Sequence, residues 1–199
     1  MGRIDYYCSP LSPYTYLAGG RPEEIAARHG HSLSYKPLDV IALFSRTGGT
    51  APKDRHPSRQ EYRAQELRRQ AVKADMTLNL RPAHWPTNGA PACYAIIAAQ
   101  EDGSGDTGML LQSLALACWA EEKDIARDEV IRAALEGAGF DPGLADRGLM
   151  TGAEVYARNL EDAVNAGVFG LPFWVTETDE RFWGQDRLDD LDAHLAGRL

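Results

Sequence analysis

Arg3-Ile4-Asp5-Tyr6-Tyr7-Cys8-Ser9-Pro10-Leu11-Ser12-Pro13-Tyr14 is the stretch that decides the fold. Ile4, Tyr6 and Tyr7 form a β-prone run stopped by Ser9-Pro10, which predicts a first strand from Arg3 to Cys8. Ser12-Pro13 then reads as a helix start, with serine as N-cap and proline at the first helical position, where its missing N–H costs nothing. Gly19-Gly20-Arg21-Pro22 interrupts that helix, and Pro22 restarts it through Ile25 and Ala26 to a stop at Gly30. Ser32-Leu33-Ser34-Tyr35-Lys36 is a second strand, ended by Pro37. A strand, helix, strand unit implies a right-handed crossover and a parallel pair.

Beyond Pro37 the strand signals stop. Residues 46 to 57, rich in Gly, Pro and charge, read as loop. After Pro57, residues Tyr62, Gln65, Leu67 and Ala71 among charged neighbours predict an amphipathic helix. Leu110, Leu111, Leu114, Ala117 and Cys118 keep helical spacing, as do Val130, Ile131, Ala134, Leu135 and Ala138 up to Gly139. Thr151-x-x-Glu154 has the form of a capping box, followed by Tyr156, Leu160, Ala163 and Val164 on one face and a stop at Gly167. After Gly170 the period changes. Phe173-Trp174-Val175, a turn over Glu177 to Glu180, and Arg181-Phe182-Trp183 predict a β-hairpin. Gly184 breaks it, and Asp186 to Leu195 reads as a last helix with Leu188, Leu191 and Leu195 facing inward. The order β-α-β, helices, β-β-α is that of an α/β protein with a thioredoxin-like sheet and a large all-helical insertion. The expected division is a discontinuous thioredoxin-like domain over residues 1–56 and 151–199, with an inserted helical domain over 57–150.

Composition narrows the function classes. The 199 residues carry a net charge of −8, and 44% are hydrophobic and 25% charged, as in an ordinary globular protein. The acidic balance argues against nucleic-acid binding, which needs a basic stripe. No apolar run approaches membrane-span length. The opening Met1-Gly2-Arg3-Ile4-Asp5-Tyr6 lacks a signal peptide's apolar stretch. Cys8, Cys93 and Cys118 are odd in number and far apart, which excludes a disulfide scaffold and a Cys-x-x-Cys redox pair. The expectation is a cytoplasmic protein with reduced thiols.

In thioredoxin-like proteins the reactive group sits at the start of the first helix, where amide dipoles stabilise a thiolate. Here Ser12-Pro13-Tyr14-Thr15 hold that place, with hydroxyls instead of sulfurs. A hydroxyl cannot exchange with a disulfide, but it can donate a hydrogen bond to a thiolate brought by a ligand. Ser12 reads equally well as a plain N-cap contributing about 1 kcal/mol, and the segment alone leaves both open. Gly170-Leu171-Pro172 precedes the hairpin. Proline there is ordinary for an edge strand, but in this fold Pro172 is expected to be cis and to face the first helix. Leu171 would then offer its N–H and C=O to an extended thiol peptide, as in β-augmentation. Around Gln185-Asp186, helix-start amides suit a carboxylate and Asp186 suits an ammonium. The plain alternative is an acidic first turn.

Leu11-Ser12-Pro13-Tyr14-Thr15-Tyr16-Leu17, Gly167-Val168-Phe169-Gly170-Leu171-Pro172 and Phe182-Trp183-Gly184-Gln185-Asp186-Arg187-Leu188 together resemble the 2-hydroxychromene-2-carboxylate isomerase family. That family is related to kappa-class glutathione transferases and DsbA-like oxidoreductases. The likeness runs over nearly the whole chain, through Tyr35-x-Pro37-Leu38, Trp85-Pro86-x-Asn88 and Trp119-Ala120-x-x-x-x-Asp124-Ile125. It implies a DsbA-like fold and glutathione as cofactor. Ser12 would hold its sulfur, Leu171 and Pro172 its peptide backbone, and Gln185 and Asp186 its γ-glutamyl end. It further implies cis–trans isomerisation of an aromatic-degradation intermediate by reversible thiolate addition, and a homodimer. The protein's task would be to lower a ligand's thiol pKa.

There are departures from the family pattern. Thr47-Gly48-Gly49-Thr50 stands where relatives tend to have Gly-Asn, which removes a side-chain contact at Gly49. Arg59, in His56-Pro57-x-Arg59, stands where relatives often have Lys; it keeps the charge and can grip a carboxylate bidentately. Tyr14, Trp85 and Asn88 are candidates for an aromatic-substrate pocket, with packing as the alternative. His29-x-His31 lacks further ligands for a metal and reads as a solvated helix end. Cys93 and Cys118 read as inert core residues, and Cys8 as a buried strand end. Three functions remain distinct: a glutathione-dependent isomerase, a kappa-like transferase that consumes glutathione on electrophiles, and a non-catalytic thiol-peptide binding module.

Overall fold

A computed structural model describes residues 2–199; Met1, at which the first expected domain begins, lies outside the described residues. The chain opens with β1 (Arg3–Cys8), α1 (Pro13–Ala18), α2 (Arg21–Arg28) and β2 (Ser32–Pro37). Next come α3 (Val40–Thr47), α4 (Pro57–Ala74), α5 (Ala90–Asp102), α6 (Thr107–Trp119), α7 (Asp128–Gly137), α8 (Leu144–Arg147) and α9 (Leu149–Asn165). It closes with β3 (Phe173–Thr176), β4 (Arg181–Trp183) and α10 (Leu188–Leu195).

The sheet order is β2-β1-β3-β4. β1 pairs in parallel with β2, from Arg3 opposite Ser32 to Cys8 opposite Pro37. It pairs antiparallel with β3, which pairs antiparallel with β4. Because side chains alternate along a strand, β1 feeds two cores. Ile4, Tyr6 and Cys8 join Trp174 and Phe182 in the larger core, with residues of α1, α2, α10 and α4 to α8. Tyr7 and Phe173 point the other way, onto Leu38, Leu43, Ala163, Val168 and Leu171. Helices α4 to α8 therefore share one apolar interior with the sheet's first strand, while α9 packs on its other face. This is the mixed sheet of a thioredoxin-like α/β fold with its long helical excursion, as the element order predicts.

Four details differ from the sequence reading. α3 occupies part of what reads as loop: the Asp39 carboxylate accepts from the N–H groups of Ile41 and Ala42, and Gly48 ends the helix at φ 79°. A 3-10 turn over Pro52–Asp54 takes up more of that stretch. Thr151-x-x-Glu154 does not cap α9, because the helix starts a turn earlier. α8 runs into it through Gly148, where a Cβ would collide with that of Ala98 on α5, so glycine permits the close approach of the helices. No side-chain cap stands at that boundary. Finally, the last α-helix begins at Leu188, after a 3-10 turn over Gln185–Arg187.

Candidate active site

The loop from Ser9 to Ser12 is fixed from several sides before α1 begins. The Ser12 N–H donates to Ser9 O at 3.0 Å and the Leu11 N–H to Ser9 Oγ at 3.3 Å. Two indoles from the helical excursion bind its carbonyls: Trp119 Nε1 donates to Pro10 O at 3.0 Å, and Trp85 Nε1 to Leu11 O at 3.1 Å. Their rings pack 5.5 Å apart. Trp119 is fully buried, so its polar tip needs such a partner.

Ser12 is the N-cap of α1, and its Oγ accepts from the Thr15 N–H at 3.2 Å. The same hydroxyl donates to Leu171 O at 3.2 Å, so it bridges the helix start to the opposite segment. The Leu171–Pro172 peptide is cis. The sequence reading expects both backbone groups of Leu171 to be free, but its carbonyl is engaged by Ser12. Its N–H has no partner among the described residues.

Ser12 and Leu171 line a cavity of about 890 Å³, together with Tyr14, Trp85 and Asn88. Its apolar lining includes Leu11, Leu38, Ile41, Phe44 and Leu80. Its charged lining is Lys53, Arg55, Arg63 and Arg81 with Asp39 and Glu61. Asp39 already serves the amides of α3. Neither Arg55 nor Arg63 forms an ion pair with a carboxylate among the described residues; Arg55 donates to Thr50 O at 2.9 Å and lies over the Phe44 ring. A cationic recess in an acidic protein suits an anionic ligand.

The remaining expected residues lie elsewhere. Arg59 is exposed on the first turn of α4 and is not among the cavity's lining side chains, whereas Arg55 and Arg63 are. Gln185 is buried and Asp186 half-exposed in the short 3-10 turn, which packs against α1; neither lines the cavity. Asp186 pairs with Arg187 at 2.9 Å. At Gly49 a Cβ would stand 2.5 Å from the Phe44 ring, so glycine there lets Phe44 form its part of the wall. Sequence reasoning missed Arg63, although a signal was present: Arg63, Leu67 and Ala71 recur at i, i+4, and the last two are buried on α4. An arginine on the apolar stripe of a helix is a candidate for a buried task.

No protein thiol stands at the α1 N-terminus. Cys8, Cys93 and Cys118 are buried and unpaired. Burial pushes the Cys8 thiol well above its ordinary range, and pushes Cys93 and Cys118 up to about 12. Tyr14 donates to Glu66 Oε2 at 2.6 Å, and burial first, then that carboxylate, raises its phenol pKa. His29 Nε2 sits 2.8 Å from Asp192, and the described residues contain no cluster of three potential metal ligands. No helix among them is long and apolar enough to cross a membrane.

A thioredoxin sheet with a helical excursion and a cis-proline opposite the first helix defines a class, and the chain belongs to it: the family model of the DSBA-like thioredoxin domain matches residues 3–196. Within that class it is 26% identical over 196 residues to a 2-hydroxychromene-2-carboxylate isomerase of Sphingobium xenophagum, covering 96% of this chain and 97% of that protein. A solved structure of a 2-hydroxychromene-2-carboxylate isomerase superposes with a TM-score of 0.80 at 24% identity, over 98% of this chain and 95% of that one. The cytosolic disulfide reductase DsbM from Pseudomonas aeruginosa, solved with GSH, superposes with a TM-score of 0.71 at 18% identity, over 98% of each chain. The family resemblance read from the sequence is borne out.

Proposed function

We propose that the protein is a glutathione-dependent cis–trans isomerase of an unsaturated aromatic acid of the 2-hydroxychromene-2-carboxylate type. The observation that carries the reading is Ser12 Oγ at the start of α1, hydrogen-bonded to Leu171 O at the edge of a cavity that no protein thiol lines. The residues fit glutathione. The cavity has room for a tripeptide beside a fused-ring acid, since pockets of 300–1,000 Å³ hold drug-sized ligands. The unpartnered Leu171 N–H suits a peptide carbonyl, and Arg55 is placed for a carboxylate. Asp186 and Gln185, on the turn packed against α1, are assigned the γ-glutamyl end.

Bound glutathione supplies the sulfur nucleophile that adds reversibly to the substrate's double bond and permits rotation. The protein's part is electrostatic. Ser12 turns its proton from Leu171 O to the sulfur while its oxygen continues to accept from the Thr15 N–H, so the helix keeps its cap. That hydrogen bond, with the α1 dipole, favours the thiolate. Trp85 and Trp119 hold the Ser9–Ser12 loop, so the hydroxyl is positioned before ligand arrives. Trp85 and Tyr14 supply flat apolar surface for an aromatic ring.

The test is to follow isomer ratio and free thiol together, with 2-hydroxychromene-2-carboxylate as substrate and glutathione present or omitted. Isomerisation that requires glutathione and leaves thiol constant is expected. Stoichiometric thiol loss would make the protein a transferase. Glutathione binding without either change would make it a binding module.

A further inference from the structure

Arg63 is the cavity's most unusual side chain. It projects from the buried stripe of α4, one turn before Leu67. Its guanidinium lies 5.8 Å from the Tyr14 ring centroid and 5.9 Å from that of Trp85. No carboxylate pairs with it among the described residues, and Glu66, which lies near enough to favour its charge, accepts from Tyr14 instead. Desolvation pulls its pKa down, the mark of a charge held away from water without full compensation. A half-buried guanidinium whose partners are two aromatic rings, in a cavity that also contains Ser12, leaves its hydrogen-bonding edge for a ligand.

We infer that Arg63 is the anchor for the carboxylate of a flat aromatic acid, gripping it bidentately while Tyr14 and Trp85 flank the ring. The geometry favours this class on three grounds. The planar fork matches a carboxylate better than a point cation would. The guanidinium lies close to both rings, so a carboxylate bound to it brings the acid's own ring beside Tyr14, two residues from Ser12. Leu11 and Leu80 line the same cavity and offer the acid's ring apolar surface. Arg55, the neighbouring lining arginine, is tied to Thr50 O and remains for a second carboxylate, that of glutathione. The inference deepens the isomerase reading by naming what selects its substrate, and it is testable without turnover.

The experiment is calorimetric titration of the folded protein, free of glutathione, with 2-naphthoate and with its neutral twin 2-naphthamide. Wild type should prefer the acid by about tenfold or more, the effect of a charge-assisted hydrogen-bonded pair. Arg63→Gln should abolish the preference and Arg63→Lys should keep part of it, with glutathione affinity unchanged in both. Equal binding of acid and amide by wild type would overturn the inference, as would a preference that survives in Arg63→Gln. Loss of glutathione binding with the acid preference intact would reassign Arg63 to the peptide. Should Arg63→Gln fail to fold, the wild-type comparison and Arg63→Lys still decide. An acid preference in a protein without isomerase activity would leave Arg63 standing and sink the isomerase reading alone.

Discussion

Replacing Ser12 with alanine separates two tasks that one hydroxyl performs. Its oxygen caps α1 through Thr15, and its proton bonds Leu171 O. Losing the cap costs about 0.5–2 kcal/mol and losing a neutral hydrogen bond about 0.5–1.5 kcal/mol. Ser12→Ala should therefore lower stability by about 1–3.5 kcal/mol, at roughly 2–4 °C of melting temperature per kcal/mol for a chain of this size. A hydrogen bond to a charged sulfur contributes about 1.5–3 kcal/mol, but the Leu171 bond must be given up to form it. The net preference for thiolate is then about 1–1.5 kcal/mol, close to one pKa unit. In Ser12→Ala the pKa of bound glutathione should rise by about one unit, which lowers the thiolate fraction at neutral pH about tenfold. A more basic thiolate is a better nucleophile, with a Brønsted slope of about 0.4–0.5, and recovers about threefold. Turnover should fall roughly three- to tenfold at neutral pH and recover as pH rises, since the helix dipole remains. The assay is thiolate absorbance of the glutathione complex against pH. Superimposable titration curves for wild type and variant would leave Ser12 a capping residue only.

Asp186→Asn should weaken glutathione binding by about 1.5 kcal/mol, the low end for a charge-assisted contact, because the carboxylate is half-exposed and shares Arg187; unchanged affinity by calorimetry returns Asp186 to a helix-start role. Trp119→Phe should cost about 1–3 kcal/mol in urea denaturation by orphaning Pro10 O, and an unmoved midpoint would refute the loop-holding role. Burial raises the Glu23 pKa against the lowering effect of its bond from Tyr35, and its Oε2 lacks a partner. A raised folded pKa gives stability that is full below the unfolded value of about 4.3 and is lost as pH rises through the folded value. The melting temperature of wild type relative to Glu23→Gln should accordingly fall as pH is raised from 4 towards neutrality, and a constant or opposite difference would be inconsistent with the buried acid.

What was legible in the sequence was what depends on local pattern. Ser9-Pro10 and Ser12-Pro13 announced the end of β1 and the start of α1, and the switch to period two after Gly170 announced the hairpin. Thr151-x-x-Glu154 is a local signal that does not mark the start of α9, which lies at Gly148, where the chain packs against Ala98 of α5. α3 is short, and its Asp39 and Gly48 ends were hidden by the Gly- and Pro-rich run that follows. At the site, Ser12, Tyr14, Trp85, Asn88 and Leu171 come from three distant segments and line one cavity. The basic residue was placed one turn away from the arginine that lines it. On α4 the choice between Arg59 and Arg63 depends on which face turns inward, and only Leu67 and Ala71, four and eight residues on, mark that face.

The serine at the start of α1 bears on how this scaffold would serve the proposed chemistry. In this fold the first helix and the cis-proline segment concentrate donors at one point, whatever atom the chain itself places there. A cysteine at that point makes the protein a reactant, since its own sulfur enters and leaves disulfides. On the proposed reading, a hydroxyl lets the same donors act on a sulfur that arrives with a ligand, while the three protein thiols are buried with raised pKa values. The remaining requirement is to place an electrophile beside that sulfur. On that reading it falls to Arg63 of α4, and the Ser9–Ser12 loop is held to the helical excursion by two indoles. The proposed sulfur-holding and substrate-holding parts meet at Trp85, which binds Leu11 O with its N–H and has Arg63 over its ring.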